Sequence, residues 1–185
     1  MDESLLRTEL ARLHRQSYGW ALSCCRRDPM RAEDVLQRVY LKVLEGKARY
    51  CGTGVFKTWL FAVIRMTARD ENRREILRRL GLVRYLDRAQ RICPPDEPDA
   101  GFDDEARRSQ FVEILDGLPN RQRQVLQLVF YHDMSLSEAA AVMDVSIGSA
   151  RTHYDRAKKA VRRRLEEKST DGCGPRTRAV PSIVL

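Results

Sequence analysis

The chain has 185 residues, 43% of them apolar, a formal net charge of +8 and a pI near 9.5. That composition excludes disorder throughout and favours a polyanionic partner. No apolar run approaches the roughly 20 residues that span a bilayer, and Met1 to Arg15 mix charges without a signal-peptide core, so a cytoplasmic protein with no membrane insertion is expected. Cys24, Cys25, Cys51, Cys93 and Cys173 form no CxxC pair and are odd in number, so neither a disulfide framework nor a metal site is indicated, and no cofactor is expected.

In chain order the periodicity predicts an all-α fold: two small helical domains joined by a flexible acidic linker. Residues 3 to 27 read as one helix. Asp28-Pro29 then supplies an N-cap followed by proline at the first helical position, opening a helix to about Glu45 that Gly46 ends. After a loop of small residues, Ala48 to Gly54, a third helix is expected from near Val55, with Phe56, Leu60, Val63 and Thr67 on one side and Trp59 and Met66 close by. Its far half is basic: residues 65 to 91 hold nine arginines against four acids, and Arg65, Arg69 and Arg73 share a face. Gly81 is expected to interrupt it.

Residues 94 to 117 reverse the sign, with eight acids against Arg107 and Arg108 and three prolines, and read as a linker leading into an acidic helix. Leu118-Pro119 restarts a helix with Val125, Leu128 and Val129 inward. Ser135 and Glu138 then have capping-box spacing, with Leu136, Ala139, Ala140 and Met143 on one face of the helix that follows. Met143 to Ser146 breaks the period. Ser146 caps a second helix whose apolar stripe is Ala150, Tyr154, Ala157, Val161 and Leu165.

Away from that stripe lie Arg151, Thr152, His153, Arg156, Lys158, Lys159, Arg162, Arg163 and Arg164, side chains suited to phosphates and purine edges. A tight helix-turn-helix with a thin alanine face and hydroxyl or guanidinium groups in the first turn of its second helix suits insertion into a major groove. The expected domains are 1–91, a linker at 92–107, 108–168, and a mobile tail at 169–185 whose Gly and Pro residues show no period. His14, His132 and His153 are scattered, with no nucleophile, metal-ligand or phosphate-loop spacing beside them, so no enzyme is expected.

With these parts in order, most of residues 1 to 168 resembles the bacterial sigma-70 family, in its small extracytoplasmic-function form. Ala32 to Gln37 with Val39-Tyr40-Leu41 resembles the helix that docks on core RNA polymerase. Phe56 to Phe61, followed by Arg65, Asp70, Arg73 and Arg74, resembles the segments that melt and read the minus-10 element. Leu118 to Leu128 and Ser135 to Arg164 resemble the region that reads the minus-35 element. Arg38 stands where the family usually carries an acid, Arg31 replaces a common Asp, Met66 a common Asn, His153 a common Arg and Ser146 a usual Pro.

The resemblance implies an alternative sigma factor. Its expected partners are core RNA polymerase, double-stranded promoter DNA, the melted non-template strand and an anti-sigma factor. It implies polymerase contacts at Glu33, Asp34, Gln37, Arg38 and Tyr40. Minus-10 contacts are implied at Tyr50, Phe56, Lys57, Trp59, Arg65, Arg69, Arg73 and Arg74, the aromatics flanking a base-holding loop at Cys51 to Gly54. Minus-35 contacts are implied at Ser149, Arg151, Thr152, His153, Arg156, Lys158, Lys159 and Arg162. A stand-alone helix-turn-helix regulator and a sigma-like mimic that titrates an anti-sigma factor remain open alternatives.

Overall fold

A computed structural model describes residues 3–82, 114–115 and 117–171. Among the described residues there are helices and no strands. The first three are α1 (Glu3–Cys24), α2 (Pro29–Leu44) and α3 (Phe56–Leu82); α4 (Asn120–Leu126), a π-helical turn (Gln127–Tyr131), α5 (Leu136–Met143) and α6 (Ile147–Asp171) follow.

Helices α1, α2 and α3 pack on one another. Asp28 caps α2, its carboxylate accepting from the Arg31 amide at 3.1 Å, with Pro29 in the first turn where its missing N–H costs nothing. Gly46, one residue beyond the C-cap, has φ +69°, a conformation that a side chain would strain. Phe56, Leu60, Val63 and Thr67 are all buried along α3, whereas Met66 faces solvent. Gly81 does not stop this helix, which continues to Leu82; one glycine costs only about 1 kcal/mol relative to alanine, too little to end a run formed on both sides.

In the second half, Pro119 precedes α4, and the chain then widens into the π-helical turn. The His132 amide bonds back to the Gln127 carbonyl, an i to i+5 spacing, and the Met134 amide to the Leu128 carbonyl six residues before it. The turn throws Phe130 and Tyr131 out to solvent and His132 inward, where it is 4% exposed. The capping box at α5 is complete: Ser135 Oγ accepts from the Glu138 amide, and Glu138 accepts from the Ser135 amide at 2.9 Å. Asp144 closes α5 in the left-handed region, φ 52° and ψ 55°. Ser146 accepts from the Ser149 amide at 3.1 Å and starts α6.

Ala150 and Ala157 bury the α6 stripe, with Tyr154 and Val161 half-buried. Leu165, expected to extend that stripe, is 46% exposed. Arg164, expected on the free basic face, instead turns inward and donates to the carbonyls of Ile114 at 2.7 Å and Gly117 at 2.8 Å. The guanidinium fork thus ties the C-terminal half of α6 to the segment just before Leu118.

The two halves meet. Helix α3 packs on α5, and Val125, Leu128, Met134, Ala139, Val142 and Met143 join Trp20, Leu60, Phe61 and Ile64 in one apolar cluster. Leu115, Leu118, Leu126 and Ala157 form a smaller core inside the second half. The expected linker at 92–107 lies outside the described residues, as does the tail beyond 171; residues 169–171, expected in that tail, continue α6.

Candidate nucleic-acid interface

On α6 the exposed side chains begin with Ser149, Arg151 and Thr152 in the first turns, and Arg156, Lys158, Lys159 and Arg162 follow; His153 is half-buried. The helix is held from behind by α4 and α5, so its outward face is free of its own domain. Two of these groups are partly engaged within α6. Thr152 Oγ1 donates to the Gly148 carbonyl at 3.0 Å, and Ser149 Oγ accepts from Ser146 Oγ at 2.9 Å. Lys158 lies 4.4 Å over the Tyr154 ring and 3.5 Å from Asp155, while Phe130 stacks on the same ring with centroids 5.9 Å apart. The exposed cations therefore run from Arg151 and Arg156 through Lys158 and Lys159 to Arg162 along one helix.

The second cluster sits where the small-residue loop enters α3. Tyr50, Phe56 and Trp59 form a closed triangle of rings with centroid separations of 5.3 to 5.5 Å. Tyr50 donates to the Gly54 carbonyl at 2.5 Å, which ties the loop back on itself, and Gly52 and Gly54 carry φ of +77° and +81°. These two glycines let the backbone make a shallow bowl beside the aromatic faces. Phe56 is buried, Trp59 half-buried and Cys51 exposed, so the triangle is both core and rim.

The cations of α3 differ in their surroundings. Arg69, Arg73 and Arg74 are exposed. Lys57 and Arg65 are half-buried against the second half, Lys57 Nζ donating to the His132 carbonyl at 2.6 Å and Arg65 Nε to Gln124 Oε1 at 3.2 Å. Burial lowers the affinity of both for their protons, an effect that nearby Asp133 and Glu138 partly oppose at Lys57. Around Glu71, Arg38 of α2 makes an ion pair, and Arg74 at 3.1 Å and Arg78 at 4.0 Å complete a cage of three guanidinium groups. Arg38, read as a polymerase contact, thus also ties α2 to α3. Glu33, Asp34 and Gln37 are exposed on the face of α2 opposite Val35, Leu36 and Val39. Tyr40 is half-buried, its hydroxyl 3.1 Å from His14 Nδ1.

His132 was not among the expected site residues. Its ring lies edge-on to Phe61 at 4.8 Å and to Trp20 at 6.0 Å, and Trp20 donates its indole N–H to the Phe61 carbonyl at 3.0 Å. Burial, with Lys57 beside it, pushes the imidazole pKa down to about 4. No motif marks it. Its only sequence signal is a histidine just beyond an apolar run. Cys24 and Cys25 hold their protons, Cys25 with a pKa raised to about 11 by burial. Among the described residues no helix is long and apolar enough to cross a membrane.

Comparison with known proteins accounts for this arrangement. Residues 10–77 match the family model described as Sigma-70 region 2, and residues 114–163 match Sigma-70, region 4. The chain is 32% identical over 138 residues to the ECF RNA polymerase sigma factor SigF of Caulobacter vibrioides, covering 74% of this chain and 72% of that protein. It is 28% identical over 146 residues to the ECF RNA polymerase sigma factor SigX of Bacillus subtilis, covering 76% and 73%. In fold it is similar to the sigma factor RpoE in complex with the anti-sigma factor NepR from Bartonella quintana, with TM-score 0.68 and 20% identity over 87% of this chain and 96% of that one. It is also similar to CnrH in complex with the cytosolic domain of CnrY, with TM-score 0.61 and 20% identity over 90% of each chain.

Proposed function

The chain belongs to the sigma-70 family and is an alternative sigma factor of the extracytoplasmic-function type; from that premise we propose how its residues divide the promoter. Its function is to bind core RNA polymerase and direct transcription initiation. The match over residues 10–77 leaves a stand-alone helix-turn-helix regulator without an explanation for the first half.

The outward face of α6 reads the minus-35 element. Arg151, Thr152 and Arg156 reach base edges from the first turns, His153 lies beside them, and Ser149, Lys158, Lys159 and Arg162 hold phosphates. Supporting this reading is the exposure of all of those groups except the half-buried His153 on a helix braced from behind by α4 and α5. The minus-10 segment is melted by trapping an unstacked base at the Tyr50, Phe56 and Trp59 triangle, with Lys57, Arg65, Arg69, Arg73 and Arg74 along its backbone. A base stacked on an aromatic face gains about 1 to 3 kcal/mol, comparable to the cost of unstacking it. Glu33, Asp34, Gln37, Arg38 and Tyr40 on α2 face the polymerase. The units follow as 1–91 and 108–168, with 92–107 between them, and α6 runs past the second unit to Asp171. The protein adds recognition and strand separation and makes no covalent change itself. It works in the cytoplasm, where it is held in reserve by an anti-sigma factor.

Run-off transcription with purified core polymerase tests the whole reading, using a promoter mapped from transcript start sites after overexpression. Promoter-dependent transcripts are expected with the wild type and their loss with Trp59→Ala. Transcripts that do not depend on added sigma, or none on any mapped promoter, would refute it.

A further inference from the structure

One carboxylate of the polymerase-facing helix has a cation on either side of it and is paired with neither. Asp34 is exposed on α2, three residues after Arg31 and four before Arg38, and side chains at those spacings are neighbours on a helix surface. Both guanidinium groups turn the other way. Arg31 Nη2 donates to Asn72 Oδ1 of α3 at 2.8 Å, and Arg38 makes its ion pair with Glu71, while Asp34 takes part in no ion pair among the described residues. We propose that Glu71 and Asn72 are positioning residues for polymerase docking: by drawing Arg38 and Arg31 across to α3, they leave the Asp34 carboxylate free for the polymerase. This rests on the reading of α2 as the polymerase face and narrows it at Arg38, whose part is to be held away from Asp34.

Surroundings decide the contest for Arg38. The Glu71 side chain is 15% exposed whereas Asp34 stands in water, so water screens the same charge pair less at Glu71. A carboxylate offers about four acceptor positions, enough to take Arg74 at 3.1 Å and Arg78 at 4.0 Å beside Arg38. Arg78 is shared with Glu75 at 3.5 Å, which also holds Arg79 at 2.9 Å, so the arginines of α3 do not depend on Glu71 alone. Arg31 is half-buried and its acceptor is a neutral amide, which makes this arm the weaker of the two. Lys42 Nζ donates to the buried Thr67 hydroxyl at 3.2 Å. Arg31, Arg38 and Lys42 fall in one line along α2, beside the buried Val35, Val39 and Val43, and all three bond to α3. The two positions of α2 where this chain carries arginine in place of the family's acids are thus the two whose charge α3 takes up.

Binding of the full chain to purified core polymerase, measured by competition against labelled wild type, tests this. Asp34→Ala sets the scale by removing the contact itself and should weaken binding. Glu71→Gln keeps the shape of the side chain and lets Arg38 return to Asp34. It should weaken binding by about twofold to fivefold, the strength of an exposed ion pair on one helix that the polymerase must then break. Adding Arg38→Gln to Glu71→Gln should recover most of that loss, and raising the salt should shrink it, because an exposed pair is screened. A role confined to folding would give neither the recovery nor the salt relief. Asn72→Ala should weaken binding in the same way through Arg31, by less, and its failure to do so overturns the inference where circular dichroism shows that Glu71→Gln has lost helix. Weakening by Asp34→Ala with no effect of folded Glu71→Gln, or with a loss that Arg38→Gln does not relieve, overturns the inference and leaves the polymerase face standing. Full binding by Asp34→Ala overturns the reading of that face at Asp34, and the inference with it.

Discussion

The two candidate DNA surfaces differ in what stands in front of them. The α6 face is braced from behind and open in front, whereas the α3 surface shares Lys57 and Arg65 with the opposing half. A surface that reads intact duplex has nothing to wait for, and can be displayed permanently. One that handles unstacked bases combines aromatic and cationic groups that also suit a protein seam, and here two of its cations are engaged in one.

If the halves share one core, damage there should be felt by both. Trp20→Ala is expected to cost about 3 to 5 kcal/mol, because the indole is fully buried against Phe61 and His132. Denaturant unfolding should show one lowered transition by both fluorescence and circular dichroism. A second half that melts unchanged would break the comparison at its root.

Acid probes the same seam. His132 is buried in its neutral form with a pKa near 4, so the unfolded chain takes up a proton before the folded one does. The contribution of the buried neutral ring to stability is therefore complete above the ordinary histidine value of about 6.5 and weakens as pH falls toward about 4, by up to about 3 kcal/mol. Lys57, which disfavours the charged ring, keeps its proton through this window, while Asp133 acts in the opposite direction on the ring. The Glu138 carboxyl across from Thr58 is held below its usual range by Ser135, so it also remains charged. Urea midpoints measured across that window should slope for the wild type and flatten for His132→Gln.

On the open face, Arg151→Ala should lose about 1 to 3 kcal/mol of discrimination between the minus-35 element and random duplex. Lys159→Ala should weaken both duplexes alike and reduce the salt slope by about one. Equal losses for Arg151→Ala on the two duplexes, measured by competition, would erase the division between base and phosphate contacts. The smallest effect is expected from Ser135→Ala, which removes one side of the α5 capping box and should cost about 1 kcal/mol of thermal stability without altering sequence preference.

How much of this was legible in the chain follows the range of each interaction. Asp28-Pro29 and the Ser135 to Glu138 box announce themselves because their chemistry closes within three or four residues. The helix-turn-helix and the outward set on α6 follow from one period and one break. Arg38 and Arg164 look like free charge in a sequence, yet one meets Glu71 across 33 positions and the other meets carbonyls near 115. Leu165 keeps the period of the α6 stripe and still faces water, since periodicity shows which way a side chain points and not whether a partner reaches that far. His132 is the hardest case. Its meaning depends on Trp20 and Phe61, more than seventy residues upstream.

The π-helical turn gives that dependence a mechanical form. A helix advances about 100° per residue, and the extra residue held between Gln127 and Tyr131 is a phase offset between α4 and everything after it. Deleting a single residue such as Val129 would restore the ordinary winding and rotate His132 out of the seam. Coupling between the halves would be lost mainly through angle, with every other side chain of the shared cluster still present in the chain.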